Sequence, residues 1–295
     1  MKKIFTILLI IIIIFAIFYI IENNFYVEKF ENNDNETFEN NETFENNEIF
    51  ENNETFESSD NEKLDNKIIS KYNTIPKIII QTWKTESIPG KYIKDIESVK
   101  KYNKDFKYLF FTDNDIESFL KKNYPLYYNT YNKLPLVIQK IDFFRYIAVY
   151  HYGGFYFDLD MTGLEPLDEL IKYDYDCIFP VDQNIPKEKC NHIRLKKYCE
   201  KDMKILLGQY AFGAKPKNRF IKKLIDTIHS NINLYIEKFK TEGKKLQYVY
   251  SSTGPDFVTD VYLDYPRKNN IHILEYNTSQ YFGKYAKHNY YGTWK

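Results

Sequence analysis

Two acidic residues, Asp158 and Asp160, are separated by one residue and directly follow the aromatic segment Phe155-Tyr156-Phe157. In an extended chain residues i and i+2 point to the same side, so we expect the two carboxylates to project together. Neighbouring carboxylates repel each other unless a positive charge lies between them. A hard divalent cation that also binds phosphate oxygens is the usual partner. The spacing alone is also compatible with a solvated strand end.

The residues before this pair could supply the other half of a site. Apolar side chains recur at helical spacing between residues 142 and 150, and Gly153-Gly154 then ends the predicted helix. Asp142 and Arg145 lie one turn apart on that helix. The planar guanidinium of such an arginine can bind a phosphate or a sugar hydroxyl, although a simple helix ion pair is the alternative.

The complete arrangement, D-F-F-R-Y…Y-G-G-F-Y-F-D-L-D, resembles the sugar-binding, DXD-containing region of glycosyltransferase family 32. That family includes fungal α-1,6-mannosyltransferases and inositol-phosphoceramide mannosyltransferases. The segment Ile75–Lys84 is similar to the family's opening strand, although Ile80 stands where a histidine is common. Thr253-Gly254-Pro255 and the pair His288…Trp294 resemble its closing motifs, so the resemblance covers roughly residues 75–295.

The resemblance implies a GT-A (Rossmann-like) nucleotide-sugar glycosyltransferase domain with a Mn²⁺ or Mg²⁺ cofactor. It also implies transfer with retention of anomeric configuration. Three overlapping groups of site residues follow: catalytic Asp158, Asp160 and Arg145; metal-binding Asp160, Asp158 and His288; and donor-binding Trp83, Asp142, Arg145, Gly154, Asp158, Gly254 and Trp294. Three of these have structural alternatives, namely a core position for Trp83, a capping turn for Gly254 and an exposed tail for His288.

The elements that must position these residues alternate between strands and helices, which predicts a doubly wound α/β sheet. The predicted strands cover 77–83, 106–112, 155–157, 177–181 and 209–215, and the predicted helices 90–103, 136–152 and 218–239. Ligands of such sheets bind beyond the carboxyl ends of the strands. Trp83 and Asp158 fall at such ends, so we expect them to share one crevice. The long basic segment 182–204 is a candidate for acceptor specificity.

The beginning of the chain predicts a membrane anchor. Residues 4–21 form an unbroken apolar run of 18, which is long enough to cross a bilayer, and two lysines precede it. Residues 30–74 carry acidic TFENNE-type repeats and are predicted to be a disordered stem. We therefore expect an anchor over 1–29, a stem over 30–74 and the GT-A domain over 75–295. We expect a single-pass type II membrane protein whose catalytic domain is lumenal (Golgi- or ER-like) or extracytoplasmic.

The charge of the chain indicates which binding partners to expect. After residue 62 the chain has 38 basic and 27 acidic residues, an excess of positive charge that suits a nucleotide diphosphate. A nucleic-acid partner is not expected, because the lysines are dispersed and no recognition motif accompanies them.

A disulfide between Cys190 and Cys199 is plausible, with Cys177 free and buried. A zinc site around Cys190 lacks a fourth ligand.

We therefore expect a metal-dependent glycosyltransferase that moves a hexose, mannose as the first choice, to a glycan or glycolipid acceptor. The donor would be GDP-mannose or a UDP-hexose. The alternative is a catalytically inactive, membrane-tethered carbohydrate-binding protein of the same fold. A glycoside hydrolase fits less well, because its two carboxylates act about 5–10 Å apart on opposite sides of the scissile bond.

Overall fold

The computed structural model describes residues 74–242, 246–275 and 281–292. The predicted membrane span and almost all of the predicted stem lie outside these residues, as does Trp294, so these predictions stay predictions. Within the described ranges no helix is long and apolar enough to cross a membrane. The chain divides into two compact units, of which the first is described only over Ser87–Ile93, including a 3₁₀ turn at Gly90–Tyr92. All contacts discussed below lie within the second unit.

The described elements follow one another in the order β1 (Ile78–Thr82), α1 (Ile93–Tyr102), β2 (Lys107–Phe111), α2 (Asp113–Asn123), α3 (Pro125–Lys133), α4 (Val137–Tyr152), β3 (Gly154–Phe157), β4 (Met161–Gly163), α5 (Asp168–Ile171), β5 (Cys177–Asn184), α6 (Lys196–Glu200), β6 (Ile205–Leu207), β7 (Ala211–Ala214), α7 (Arg219–Ser230), α8 (Ile232–Glu242), α9 (Leu246–Ser252), α10 (Pro255–Asp264), β8 (Ile271–Leu274), β9 (Tyr281–Phe282) and β10 (Ala286–His288). The predicted helix over 218–239 is two helices, because α7 ends at Ser230 and Asn231 separates it from α8.

Seven strands form a mixed sheet in the order β2-β1-β3-β7-β5-β6, and β8 pairs with β5. Strands β2, β1 and β3 are parallel, as predicted for buried strands of an α/β sheet. Strand β7 is antiparallel to both β3 and β5, so the prediction of a doubly wound sheet holds only for part of it. The reason is that β6 and β7 turn back alongside β5, and a chain that returns along the strand it has just left pairs antiparallel.

Apolar side chains cover both faces of the sheet. Tyr156 packs with α4 and α7 in one buried cluster, whereas Phe155 and Phe157 belong to a second cluster on the other face. This alternation is the one expected along a strand. Every residue of α4 from Asp142 to Tyr150 is buried. The core therefore fixes both the helix and the strand that lead into the acidic pair.

The connection between α4 and β3 requires two glycines. Gly153 has a φ of +68° and Gly154 one of +85°, in the region that residues with a Cβ rarely adopt. A Cβ on Gly154 would lie 2.5 Å from the carbonyl oxygen of Ile78 on the neighbouring strand. The predicted helix stop is therefore also a tight packing position.

The end of the described chain folds back beside the acidic pair as a small antiparallel sheet, β4-β10-β9. The Asn289 side-chain amide donates to Thr162 Oγ1 at 2.8 Å and to Asp95 Oδ1 at 3.0 Å. The Tyr291 hydroxyl donates to the other Asp95 oxygen at 3.0 Å. His288 thus lies in a strand and not in an exposed tail.

The cysteine prediction is confirmed. Cys190 and Cys199 form a disulfide, with their Cα atoms 5.7 Å apart, and Cys177 is free and buried. The disulfide closes the segment between β5 and β6, so neither cysteine is available to the alternative zinc site.

His151, near the end of α4, lies among aromatic rings. Its Nδ1 is 3.0 Å from the Tyr124 hydroxyl, and its ring meets Phe119 edge-on at 5.0 Å. Burial, assisted by the positive charge of Lys217, lowers the pKa of His151 to about 3. In an unfolded chain the pKa is about 6.5. Between these values the unfolded chain binds a proton that the folded chain does not, so the free energy of unfolding decreases as the pH falls through this window.

We predict that His151→Gln reduces this pH dependence by up to about 1.4 kcal/mol per pH unit between pH 6 and pH 4, because glutamine does not titrate. Denaturant unfolding of the wild type and the variant at several pH values measures the difference. Two stability curves that stay parallel over this range would contradict the prediction.

Candidate active site

The acidic pair and His288 come together at the carboxyl edge of β3. The Asp158 amide donates to the Tyr210 carbonyl at 2.7 Å, which extends the pairing of β3 with β7 by one residue. One ligand atom each of Asp158, Asp160 and His288 lies within 4.8 Å of the others. His288 Nε2 is 3.3 Å from Asp160 Oδ1. The three predicted metal ligands therefore form one cluster, although His288 is far from the pair in sequence.

The chemistry of this cluster fits a divalent cation. Two ligands bound to one cation at 2.0–2.4 Å lie about 3 Å apart, close to the separation of His288 and Asp160. Carboxylates are preferred ligands of Mg²⁺ and Mn²⁺. The His288 ring stacks on Tyr210 at 4.4 Å, and its Nδ1 is buried without a hydrogen-bond partner among the described residues. The aromatic packing thus holds Nε2 toward the carboxylates.

The two carboxylates have opposite pKa shifts. Burial raises the pKa of Asp160, but its hydrogen bond to His288 and the charge of that ring outweigh the effect, so the pKa is lowered overall. The Tyr291 amide donates to Asp160 Oδ2 at 3.0 Å and adds to this effect. Burial raises the pKa of Asp158, and the neighbouring Arg145 opposes that shift. Asp160 is therefore ionised at neutral pH, as a metal ligand must be.

Arg145 lies between Asp142 and Asp158 and forms an ion pair with each of them. Its Nη2 lies 3.2 Å from Asp142 Oδ1 and 3.1 Å from Asp158 Oδ1, while Nη1 donates to the Gln209 carbonyl at 2.9 Å and to the Gln209 side-chain oxygen. The guanidinium also stacks over Tyr156 at 4.6 Å. Only 3% of the side chain is exposed. The arginine predicted to bind the donor thus already binds protein groups on several sides and holds Asp158 in place.

Asp142 connects this cluster to the Thr253-Gly254 turn. It is fully buried and accepts a hydrogen bond from Thr253 Oγ1 at 2.7 Å. Burial raises the pKa of Asp142 to about 6, against the opposing effects of Arg145 and Thr253. Gly254 is the N-cap of α10 and packs against α9, with the Cα of Tyr250 3.0 Å from where a Cβ would lie. Gly254 therefore lies next to the site in sequence, because the preceding residue, Thr253, binds Asp142.

The remaining predicted donor-binding residues are distributed differently. Trp83 follows β1, is half-buried, and donates its amide to the Phe111 carbonyl at 3.1 Å, which places it at the same sheet edge as Asp158. Gly154 begins β3 and lies four residues before Asp158, about 13 Å away along an extended strand. The structure therefore does not bring Gly154 to the cluster. Trp294 lies outside the described residues.

Two contributors were missed in the sequence. The Tyr156 hydroxyl donates to Asp158 Oδ1 at 3.0 Å, whereas the sequence pattern indicates only an aromatic strand residue at this position. Burial raises the pKa of Asp182 to about 6, while the charges of Arg194 and His288 act in the opposite direction. Asp182 follows the predicted strand 177–181 in the way that Asp158 follows β3, so the same strand-end argument could have identified it.

Comparison with known proteins identifies the class of this region. Residues 89–176 match the family described as "glycosyltransferase sugar-binding region containing DXD motif". The predicted resemblance is thereby confirmed for this segment, which includes Asp142, Arg145, Asp158 and Asp160.

The chain is similar to two yeast proteins. It is 29% identical over 197 residues to a mannosyl phosphorylinositol ceramide synthase of Saccharomyces cerevisiae, an alignment that covers 66% of this chain and 44% of that protein. It is 28% identical over 204 residues to inositol phosphoceramide mannosyltransferase 1 of Schizosaccharomyces pombe, covering 68% and 55%. The chain thus spans about half the length of these relatives. Among solved structures, the PaToxG glycosyltransferase aligns with a TM-score of 0.45 and 18% identity over 68% of this chain and 74% of that one.

We predict that Gly154→Ala destabilises the protein by about 3 kcal/mol, because a left-handed backbone and a clash with Ile78 add together. The matched control is Gly283→Ala. Gly283 also has a positive φ, of +54°, but its nearest non-adjacent atom would lie 3.5 Å from the new Cβ, so a loss of about 1 kcal/mol is expected. Thermal unfolding measures both. A Gly154→Ala protein that is stable yet loses affinity for a nucleotide sugar would instead place Gly154 in the donor site.

Proposed function

We propose that the protein is a metal-dependent glycosyltransferase of the GT-A type that transfers a hexose, mannose as the first choice, from a nucleotide-diphosphate sugar. The observation that carries the proposal is the cluster of Asp158, Asp160 and His288 at the carboxyl edge of the sheet. Arg145 forms an ion pair with Asp158 of this cluster. The printed names of the similar yeast proteins, both mannosylating enzymes, support mannose and hence GDP-mannose as the donor. A UDP-hexose is the second choice.

The three ligands would hold Mn²⁺ or Mg²⁺, which when bound offsets the negative charge that develops on the departing diphosphate. The residues of the chain then have positional tasks. Asp142 and Arg145 would fix the Asp158 carboxylate, and Trp83, at the same edge of the sheet, would stack on the nucleotide base. The returning segment 281–292 shields Asp160 on one side, since the Asn289 amide donates to the Asp160 carbonyl at 2.9 Å.

The acceptor is proposed to be a glycan or a glycolipid. The names of the similar proteins refer to inositol phosphoceramide, which supports a lipid acceptor, and a type II anchor at residues 4–21 would keep the domain near a membrane. We propose retention of anomeric configuration on the family resemblance. No carboxylate is assigned as nucleophile.

The second candidate is an inactive carbohydrate-binding protein of the same fold. It is less favoured, because the complete chain of contacts from Thr253 through Asp142 and Arg145 to Asp158 is intact. A domain that only binds sugar has no need for this arrangement of paired charges.

We predict that the full chain in detergent releases nucleotide from one donor in a panel of GDP- and UDP-sugars, and only with Mn²⁺ or Mg²⁺ present. Asp160→Asn should reduce release at least about 100-fold, because a neutral amide is a poorer ligand. Asp174→Asn is the control, since this acid precedes β5 at the opposite edge of the sheet and is 86% exposed. Release that is unaffected by chelation would overturn the metal assignment. Donor binding without release, with acceptor supplied, would favour the inactive binding protein.

We predict a different kinetic pattern for Arg145→Lys. Lysine keeps the charge but cannot bridge Asp142, Asp158 and Gln209 at the same time, so Asp158 loses its orientation. We expect kcat to fall about 10- to 100-fold and the apparent affinity for Mn²⁺ to weaken. Titration of activity with Mn²⁺ separates the two effects. An unchanged Mn²⁺ dependence would contradict the positioning role.

A further inference from the structure

The chain between β5 and β6, residues 185–204, forms a loop with an unusual charge distribution, which we call the basic loop. From residue 187 to residue 204 it has seven basic and three acidic residues, a net charge of +4. It contains a 3₁₀ turn at Lys187–Lys189 and the short helix α6. The reaction proposed above uses none of these lysines.

The basic loop is a rigid element. The Cys190–Cys199 disulfide closes it, and it has an apolar centre of its own, formed by Ile185, Leu195, Tyr198 and Leu206. Three ion pairs join one side of the loop to successive turns of α10: Arg194–Asp256 at 2.5 Å, Lys197–Asp260 at 2.6 Å and Lys201–Asp264 at 3.1 Å. These contacts fix which residues face the protein and which face outward.

Residues 187–193 combine one strongly exposed apolar side chain with two exposed lysines, and the exposed Glu188 lies between these lysines. Ile193 is 92% exposed, more than any other large apolar side chain of the described residues. Lys187 and Lys189 are exposed, and no ion pair to either is found within the described part of the chain. Since the loop is cross-linked and docked, Ile193 cannot be covered by local rearrangement without breaking these contacts.

This combination matches an anionic membrane surface. An apolar side chain can enter the boundary between headgroups and acyl chains, while long lysine side chains leave their ammonium groups among lipid phosphates. Each lysine near an anionic bilayer adds attraction that salt weakens. A stable protein partner would instead need about 800 Å² of complementary surface on this side, and a single protruding isoleucine supplies little of it.

We propose that the basic loop contacts an anionic lipid membrane, with Ile193 inserted at the interface and Lys187 and Lys189 at the headgroups. Arg194, next to Ile193, is paired with Asp256, two residues beyond Gly254. The contact would therefore orient the carboxyl edge of the sheet toward the lipid. It does not depend on sugar transfer, and an inactive chain would make the same contact.

Hydrogen–deuterium exchange on the full chain in lipid nanodiscs tests the proposal. One set of discs contains phosphatidylcholine alone and the other about 30% phosphatidylserine, enough to give a negative surface potential. We expect amide exchange in peptides covering 187–197 to slow about threefold or more in the anionic discs, and high salt to remove the difference. Peptides from α7 report whether the fold is unchanged. Equal exchange of the loop in both discs would overturn the proposal.

Substitutions make the test specific. Ile193→Ser and the double change Lys187→Ser with Lys189→Ser should each abolish the protection, since one removes insertion and the other removes attraction. Val137→Ser is the matched control for an exposed apolar residue, being 60% exposed at the start of α4, and Lys223→Ser is the control for charge. Protection that survives both loop variants, or that is lost equally in the controls, would overturn the proposal. Slowed exchange on adding a soluble acidic protein to phosphatidylcholine discs, without an effect of anionic lipid, would do so too.

Discussion

The site depends on one buried cation among several carboxylates. Asp142 and Asp158 approach the Arg145 guanidinium from different elements, and Asp160 follows within the same turn. Removing one partner from such a buried group leaves an uncompensated charge, which typically costs about 3–5 kcal/mol. The direction of β3, the glycine turn before it and the burial of α4 all serve to bring these opposite charges together. The geometry of the proposed metal ligands follows from that arrangement.

The protein has a second arginine–carboxylate pair, between Arg194 and Asp256. Asp256, 1% exposed, accepts hydrogen bonds from the Arg194 guanidinium and from Gln247. Because Asp256 and Gly254 lie in the same first turn of α10, the cross-linked loop and the Thr253-Gly254 turn share one anchoring point. Buried Arg145 thus holds the acidic pair, and half-buried Arg194 joins the outer loop to the start of α10.

Local patterns in the sequence were sufficient to predict the features that depend on residues close together in the chain. The one-turn spacing of Asp142 and Arg145, the glycine stop and the strand ending in Asp158 are all found as predicted. Other features depend on residues far apart, such as the Thr253–Asp142 hydrogen bond across 111 positions and the antiparallel return of β7. Contacts between such distant residues leave no periodic pattern in the sequence. Gly154 and Asp158 are neighbours in the motif yet lie at opposite ends of β3, so the motif alone does not place Gly154 beside the acidic pair. The helix over 218–239 was predicted without the break at Asn231.

The returning strand β10 has a consequence for the order in which the structure opens. It is three residues long, β9 has two, and the contact between Tyr291 and Asp160 spans 131 positions of sequence. Short strands that close long loops gain little free energy for the entropy they cost, so they belong to the parts of a protein that open first. A ligand that contacts Asp160 and His288 together would bind only the closed form. Such a ligand would hold the end of the chain in its folded position. The free energy needed to open this segment would then rise in proportion to the logarithm of the ligand concentration.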